Sequence, residues 1–342
     1  MDIHRARFVP YPPSAINALA FSHTTADEHG NDPSSLRLAL GRANGNIELW
    51  NPSSGRWLQE RVFYGGKDRS VEGLSWIQES DTRENGKVVP GRLRLFSIGY
   101  SSNVTEWDLA TGLPARHSDG SHSAVWCLAA QPKPNDKETS YKPQDLVAGC
   151  ADGTLVQLST ADDDLRFRRV LYRASGKKAR ALCVEYQNRD TVLAGFADST
   201  IRVIDTRRCM VRRLISLGSS GPIGGPKEGL VWKIKCLPNG NFVAGDSTGY
   251  IRIYDGRTWN EIQRIIGHEA DVLDLAVSRD GTQILSGGMD RRTCVYTCST
   301  KKKSMGKNWK KLYHKRYHDH DVKAMATYEG NKFNILASGG ML

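Results

Sequence analysis

A short phrase, apolar-x-x-apolar-x-apolar, recurs seven times along the 342 residues and constrains the fold more than any other feature. It starts at Ile16, Val71, Val125, Ala179, Val231, Val272 and Val322, with its second apolar position at Leu19, Leu74, Leu128, Leu182, Ile234, Leu275 and Met325. The starts lie 55, 54, 54, 52, 41 and 50 residues apart. A constant phrase at unequal spacing marks one structural unit whose loops vary in length.

A second signature follows each of the first six phrases. A run of small residues leads to a polar turn, and the turn to a short β-rich strand. The turns are Asn44-Gly45, Ser102-Asn103, Asp152-Gly153, Asp198-Ser199, Thr248-Gly249 and Asp290-Arg291, the chemistry that tight hairpins select. The strands include Ile47 to Asn51 with Trp50, Val104 to Asp108 with Trp107-Asp108, and Ile251 to Asp255 with Tyr254-Asp255. Four short strands per unit, a period in the forties to fifties and a Trp-Asp ending are the pattern of a WD-repeat β-propeller. The expected fold is therefore all-β, a seven-bladed propeller occupying residues 1–342 as one domain.

The seventh unit is expected to be incomplete. After Asn334 to Gly340 the sequence has only Met341-Leu342, short of the turn and third strand that the earlier units have. A longer parent protein is the expectation. The stretch Ile3 to Val9 reads as a lone strand, expected to close the last blade as its outer edge, because closure removes exposed sheet edges.

The sixth unit carries the most complete set of hydrogen-bonding residues. Gly267-His268, Ser286, Asp290 and Tyr296 stand where WD blades tie a loop to the inner hairpin, so His268, Ser286 and Asp290 are read as a structural tie rather than as catalytic groups. His318-Asp-His320-Asp321 has the composition of a metal site, but His318 and Asp321 precede Val322 as His268 and Asp271 precede Val272. That register makes it another tie, and no metal or other cofactor is expected.

Catalytic signatures are missing from the sequence. It has no phosphate loop, no G-x-S-x-G elbow, no H-E-x-x-H and no C-x-x-C pair. Its inner strands offer Trp126, Trp232, Lys233 and Lys235 with few carboxylates. A binding platform, not an enzyme, is expected, with no small-molecule substrate. Seven cysteines fall mostly in predicted strands and read as buried thiols. No apolar run reaches the roughly 18 to 20 residues of a membrane span, and the start lacks the apolar core of a secretory signal, so the expected compartment is cytosol or nucleus without membrane contact.

Charge points to the kind of partner. The net charge is +11, an excess that favours anionic partners, of which nucleic acid is the commonest. The densest run is Lys301, Lys302, Lys303, Lys307, Lys310, Lys311, Lys315 and Arg316, with Trp309 and Tyr313 interleaved and no acid. Such a run is ordinarily a solvated loop; its unbroken sign and its aromatics suit RNA phosphates and bases. A second set, Arg166, Arg168, Arg169, Arg173, Lys177, Lys178, Arg207, Arg208, Arg212 and Arg213, lies on or beside outer strands, where alternating Arg also blocks edge pairing. Long polar insertions at 23–35, 78–91 and 132–144 are expected to be surface loops on the face that carries the Lys301 run.

Several phrases are more specific than the repeat. His4-Arg-Ala-Arg-Phe8-Val with Ile16 to Ser22, Leu36 to Gly41 with Asn44 to Pro52, Gly65 to Ser70 with Glu72-Gly-Leu74, Leu95 to Gly99, Thr105 to Pro114 and Gly245 to Gly249 closely resemble the cirhin family, in a fungal-type form, across all seven units. The resemblance implies a nucleolar, non-enzymatic scaffold of the t-UTP (UtpA) subcomplex, which joins the small-subunit processome on nascent pre-ribosomal RNA near the 5′ external transcribed spacer. It implies other WD-repeat subunits as partners, a role in small-subunit rRNA maturation, and a second propeller and C-terminal region beyond this chain. The alternative is a pure protein-interaction propeller without RNA contact. No short family signature marks RNA-contacting residues, so the Lys301 to Arg316 assignment rests on charge.

Overall fold

The computed structural model describes residues 14–24, 32–52, 57–66, 69–79, 82–84, 87–89, 91–118, 123–134, 143–176, 178–218, 229–299, 308–330 and 334–341. Each unit is a meander of antiparallel strands joined by tight turns. Unit 1 contains β1 (Ile16–Phe21), β2 (Leu38–Arg42), β3 (Ile47–Asn51) and β4 (Leu58–Phe63). Unit 2 contains β5 (Gly73–Gln78), a small hairpin of β6 (Thr82–Glu84) and β7 (Lys87–Val89), then β8 (Leu93–Ile98), β9 (Thr105–Trp107) and β10 (Pro114–His117). Unit 3 contains β11 (Val125–Ala130), β12 (Leu146–Cys150), β13 (Leu155–Ser159) and β14 (Arg166–Tyr172). Unit 4 contains β15 (Ala181–Asn188), β16 (Thr191–Phe196), β17 (Thr200–Asp205) and β18 (Met210–Ser216). Unit 5 contains β19 (Val231–Cys236), β20 (Phe242–Asp246), β21 (Tyr250–Tyr254) and β22 (Glu261–Ile266). Unit 6 contains β23 (Val272–Val277), β24 (Gln283–Gly288), β25 (Thr293–Ser299) and β26 (Asn308–Lys315), and unit 7 contains β27 (Val322–Glu329) and β28 (Asn334–Gly340). Among the described residues there is no α-helix, and one 3-10 turn lies at Ala161–Asp163.

The result is an all-β propeller with six blades, not the seven expected. Six four-stranded sheets form, whereas the seventh phrase yields only the two-stranded sheet β27–β28, because the strands that would flank β28 are not among the described residues. Closure by Ile3 to Val9 likewise lies outside the described residues. The insertion at 78–91, expected as a surface loop, holds the β6–β7 hairpin.

Packing between units follows from one recurrent glycine. In the second strand a Cβ on Gly245 would stand 2.6 Å from Val272 of the next unit, and one on Gly287 2.6 Å from Val322. Only a residue without a side chain lets neighbouring sheets approach so closely. Gly339 meets Ile16 in the same way, again at 2.6 Å. The two-stranded sheet therefore packs on unit 1 as units 1, 3, 4, 5 and 6 pack on their successors, with Ile98 at this place in unit 2, and the ring comes round through that contact. Between the sheets lie apolar clusters, such as Ala39, Ile47, Leu49 and Phe63 against Val71, Leu95 and Trp107. In unit 4 it is Ala181, not Ala179, whose Cβ meets the glycine of the unit before, Gly149. That phrase sits two residues later than expected.

Candidate nucleic-acid interface

The sixth unit positions the strand that carries the basic residues. His268, buried in the loop before β23, makes two bonds: Nδ1 lies 2.8 Å from Asp290 Oδ1 and Nε2 lies 2.6 Å from Ser286 Oγ. Ser286 in turn donates to the Tyr296 hydroxyl at 3.3 Å. Asp290 also accepts from the backbone N–H groups of Glu269 and Arg292. Burial works against the charged imidazole, yet the bonds to Asp290 and Cys294 outweigh it and raise His268 to about 8. Burial opposes ionisation of Asp290 too, but the His268 bond and the backbone donors lower it to about 2. An imidazolium donating from both nitrogens fits this geometry, which locks the loop to β24 and β25. His318 repeats the arrangement in unit 7, with Nε2 lying 2.9 Å from Ser338 Oγ.

β26 is the outer strand of that locked sheet, and its alternation sorts the expected interface residues. Trp309 is buried within the apolar cluster between units 5 and 6, and its backbone exchanges two 2.8 Å bonds with the Gln263 side chain of β22. It offers no free ring face. Lys311, on the same side, donates to the Gly267 carbonyl at 2.6 Å. Lys310, Lys315 and Arg316 are exposed, and no carboxylate among the described residues pairs with them. Leu312 and Tyr313 are 57% and 40% exposed. Lys301, Lys302, Lys303 and Lys307 lie outside the described residues.

Four of the arginines on or beside outer strands are neutralised locally, which their spacing did not reveal, whereas Arg208 and Arg213 are exposed with no described acid paired to them. Arg168 bonds Asp145, Arg212 bonds Asp205, Arg207 bonds Asp190 at 2.8 Å and Arg166 bonds Asp164. Arg169 donates to Gln157 at 2.8 Å. Arg173 and Lys178 are exposed with no described acid paired to them; Lys177 lies outside the described residues.

Carboxylates missed from the sequence line the inner strands, and they too are spent on partners. Lys233 pairs with Asp274 at 2.9 Å and Lys235 with Glu185 at 3.2 Å, and Asp274 also accepts from the Met325 N–H at 2.7 Å. Glu72 accepts from Lys323 at 2.9 Å, Asn17 at 3.0 Å and Ser70 at 2.5 Å, joining units 7, 1 and 2. Among the described residues no three His, Cys, Asp or Glu side chains converge to hold a metal ion.

Comparison with known proteins agrees with the geometry. The model of the WD domain, G-beta repeat, matches residues 259–297, from the outer strand of unit 5 into the third strand of unit 6. Over 347 aligned residues the chain is 37% identical to U3 small nucleolar RNA-associated protein 4 of Schizosaccharomyces pombe, with 100% of the chain and 44% of that protein covered. The Saccharomyces cerevisiae protein of the same name is also 37% identical, with 100% and 42% covered. The mouse homolog is 25% identical, with 99% and 44% covered. The chain thus spans less than half the length of these relatives.

Proposed function

The chain is homologous over its whole length to U3 small nucleolar RNA-associated protein 4, and from that premise we propose that it is a non-enzymatic scaffold propeller of ribosome biogenesis, resident in the nucleolus. It works within the t-UTP (UtpA) subcomplex beside other WD-repeat subunits, and it meets pre-ribosomal RNA in the 5′ external transcribed spacer. The names of the relatives and the cirhin-like phrases support this reading. The observation that carries the RNA part is the row of cations Lys310, Lys315 and Arg316 on or just beyond β26, exposed and without a described acid, whereas Arg166, Arg168, Arg207 and Arg212 are each neutralised. Exposed cations bind phosphate by releasing counterions, so their contribution falls with salt.

The test is charge reversal of Lys310, Lys315 and Arg316 together, read by anisotropy of labelled spacer RNA at several salt concentrations. Affinity falls, and the salt slope flattens by about 0.7 for each phosphate of a single strand that is no longer neutralised. Unchanged binding removes the RNA role from β26. A second reading is a docking surface for a protein partner without RNA, favoured by the exposed Leu312 and Tyr313 on the same strand. Retained RNA binding together with failed subunit pull-down in a Leu312→Ser, Tyr313→Ser variant selects protein docking for that strand.

A further inference from the structure

The inner strands meet at one end of the ring through a repeated handshake. The residue just before an inner strand reaches back to the second residue of the preceding phrase. Ser70 Oγ accepts from Asn17 Nδ2 at 2.8 Å, and Asp271 Oδ2 accepts from Trp232 Nε1 at 2.7 Å. Between units 3 and 4 the corresponding pair is Trp126 and Arg180, with the guanidinium carbon 4.0 Å from the ring centroid. Tyr100 of unit 2 meets the same indole edge-on, at 5.5 Å between centroids.

This third contact differs from the other two in what it leaves open. Tyr100 is 60% exposed and Arg180 is exposed. Among the described residues no carboxylate pairs with Arg180. The connection from β14 to β15 that carries Arg180 also carries Arg173 and Lys178, which line one concavity with Thr154 and a single acid, Asp152. Asp152 is engaged in its own turn, accepting from the Thr154 N–H at 3.0 Å. The sector of units 7, 1 and 2 is instead closed by its own bonds, with Glu72 holding Lys323 and Asn17.

We propose that this sector of the channel mouth binds single-stranded RNA. An unstacked base lies on the Tyr100, Trp126 and Arg180 assembly, and the adjoining phosphates lie on Arg173 and Lys178. The inference deepens the reading that the protein contacts RNA and rests on it. The chemistry favours this occupant because a guanidinium stacked on an indole, with a phenol set edge-on beside them, presents flat faces to a base. An acidic peptide needs only the cations. A methylated ammonium group is disfavoured, since Arg180 already covers the Trp126 face and would repel a second cation. Paired RNA does not fit either, because its bases are not free to leave the stack.

Fluorescence anisotropy with a short labelled single-stranded oligouridine tests this on the whole chain. Tyr100→Ala combined with Arg180→Ala weakens binding about tenfold, read at a temperature well below the melt of the variant so that folded protein is compared with folded protein. Tyr100→Ala alone lowers affinity without altering the salt slope, whereas Arg173→Ala with Lys178→Ala flattens the slope by about 0.7 per residue. A photoreactive uridine in the probe crosslinks to Tyr100 or Trp126. Wild-type affinity in the Tyr100, Arg180 variant overturns the mouth site and leaves RNA binding by β26 standing. Displacement of the probe by duplex RNA as readily as by single strand, or by an acidic peptide that binds the same variant more weakly, also overturns it. Failure of the wild-type chain to bind any RNA sinks the broader reading instead.

Discussion

Blades 5 and 6 are adjacent sheets of the same topology, yet each is tied by different chemistry. In blade 6 a histidine reaches in from a loop, and the residue facing Ser286 across the ladder is the small Cys294. In blade 5 that ladder position is Arg252, 1% exposed, bonded to Asp246 at 2.7 Å and to Glu261 at 3.1 Å. Blade 1 uses the same two places with the charges exchanged, Arg42 on Glu48. The fold thus fixes where a polar tie sits without fixing which groups make it. A tie of arginine and carboxylate is insensitive to pH near neutrality, and a tie through imidazole is not.

The largest effect should come from breaking the blade 5 tie from one side. Asp246→Ala leaves Arg252 buried with only Glu261 as a described acidic partner, and should cost about 3–5 kcal/mol in urea unfolding. A loss below that of the blade 6 variant would break the comparison. His268→Ala removes two hydrogen bonds and leaves Asp290 to its backbone donors Glu269 and Arg292, for about 2 kcal/mol at pH 6.

The pH response separates the blades more sharply. His268 is raised to about 8, above its unfolded value of about 6.5. Its contribution is therefore complete below about pH 6.5 and disappears as pH rises through 8, a loss on the order of 2 kcal/mol. Asp290 is lowered, so its share is present above about pH 4 and vanishes as pH falls toward 2. Urea midpoints measured across this range should decline above pH 6.5 in the wild type and stay level there in His268→Ala. Asp246→Ala should keep the wild-type slope, and a flat profile in it would merge the two ties into one.

The smallest effect concerns the turns that serve both blades. Gly249 in blade 5 and Arg291 in blade 6 hold the same left-handed conformation, with φ of 82° and 65°. Arg291→Gly should stabilise blade 6 by about 1 kcal/mol, since an L side chain is strained there. No gain on thermal melting would show that the Arg291 side chain compensates elsewhere.

Much of the architecture was legible because strand burial has a period of two and turns have narrow chemistry. The phrase located every inner strand, with one slip in unit 4. There the run Ala179-Arg-Ala-Leu-Cys-Val-Glu-Tyr186 matches the phrase twice, two residues apart, and a shift of two keeps the same face inward. Only the contact of Ala181 with Gly149 separates the alternatives. The WD family model matches residues 259–297, where the tie is built on a histidine, whereas blades 1 and 5 keep the tie with ion pairs in its place. The binding surface was harder to read. Trp309 sits among lysines in the sequence, but alternation along β26 turns it inward. Arg180 and Trp126 are 54 residues apart, and they meet only because they occupy matching places in successive units.

Among the described residues the second strand of unit 7 is less covered than its counterparts. β2, β12, β16 and β20 are buried along their whole length, whereas four of the seven positions of β28 are only partly so, and Asn334 is open to solvent. The joint between units 7 and 1 leans on Glu72, which takes bonds from Lys323, Asn17 and Ser70 at once, so Glu72→Gln should speed deuterium uptake in β27 and β1 together.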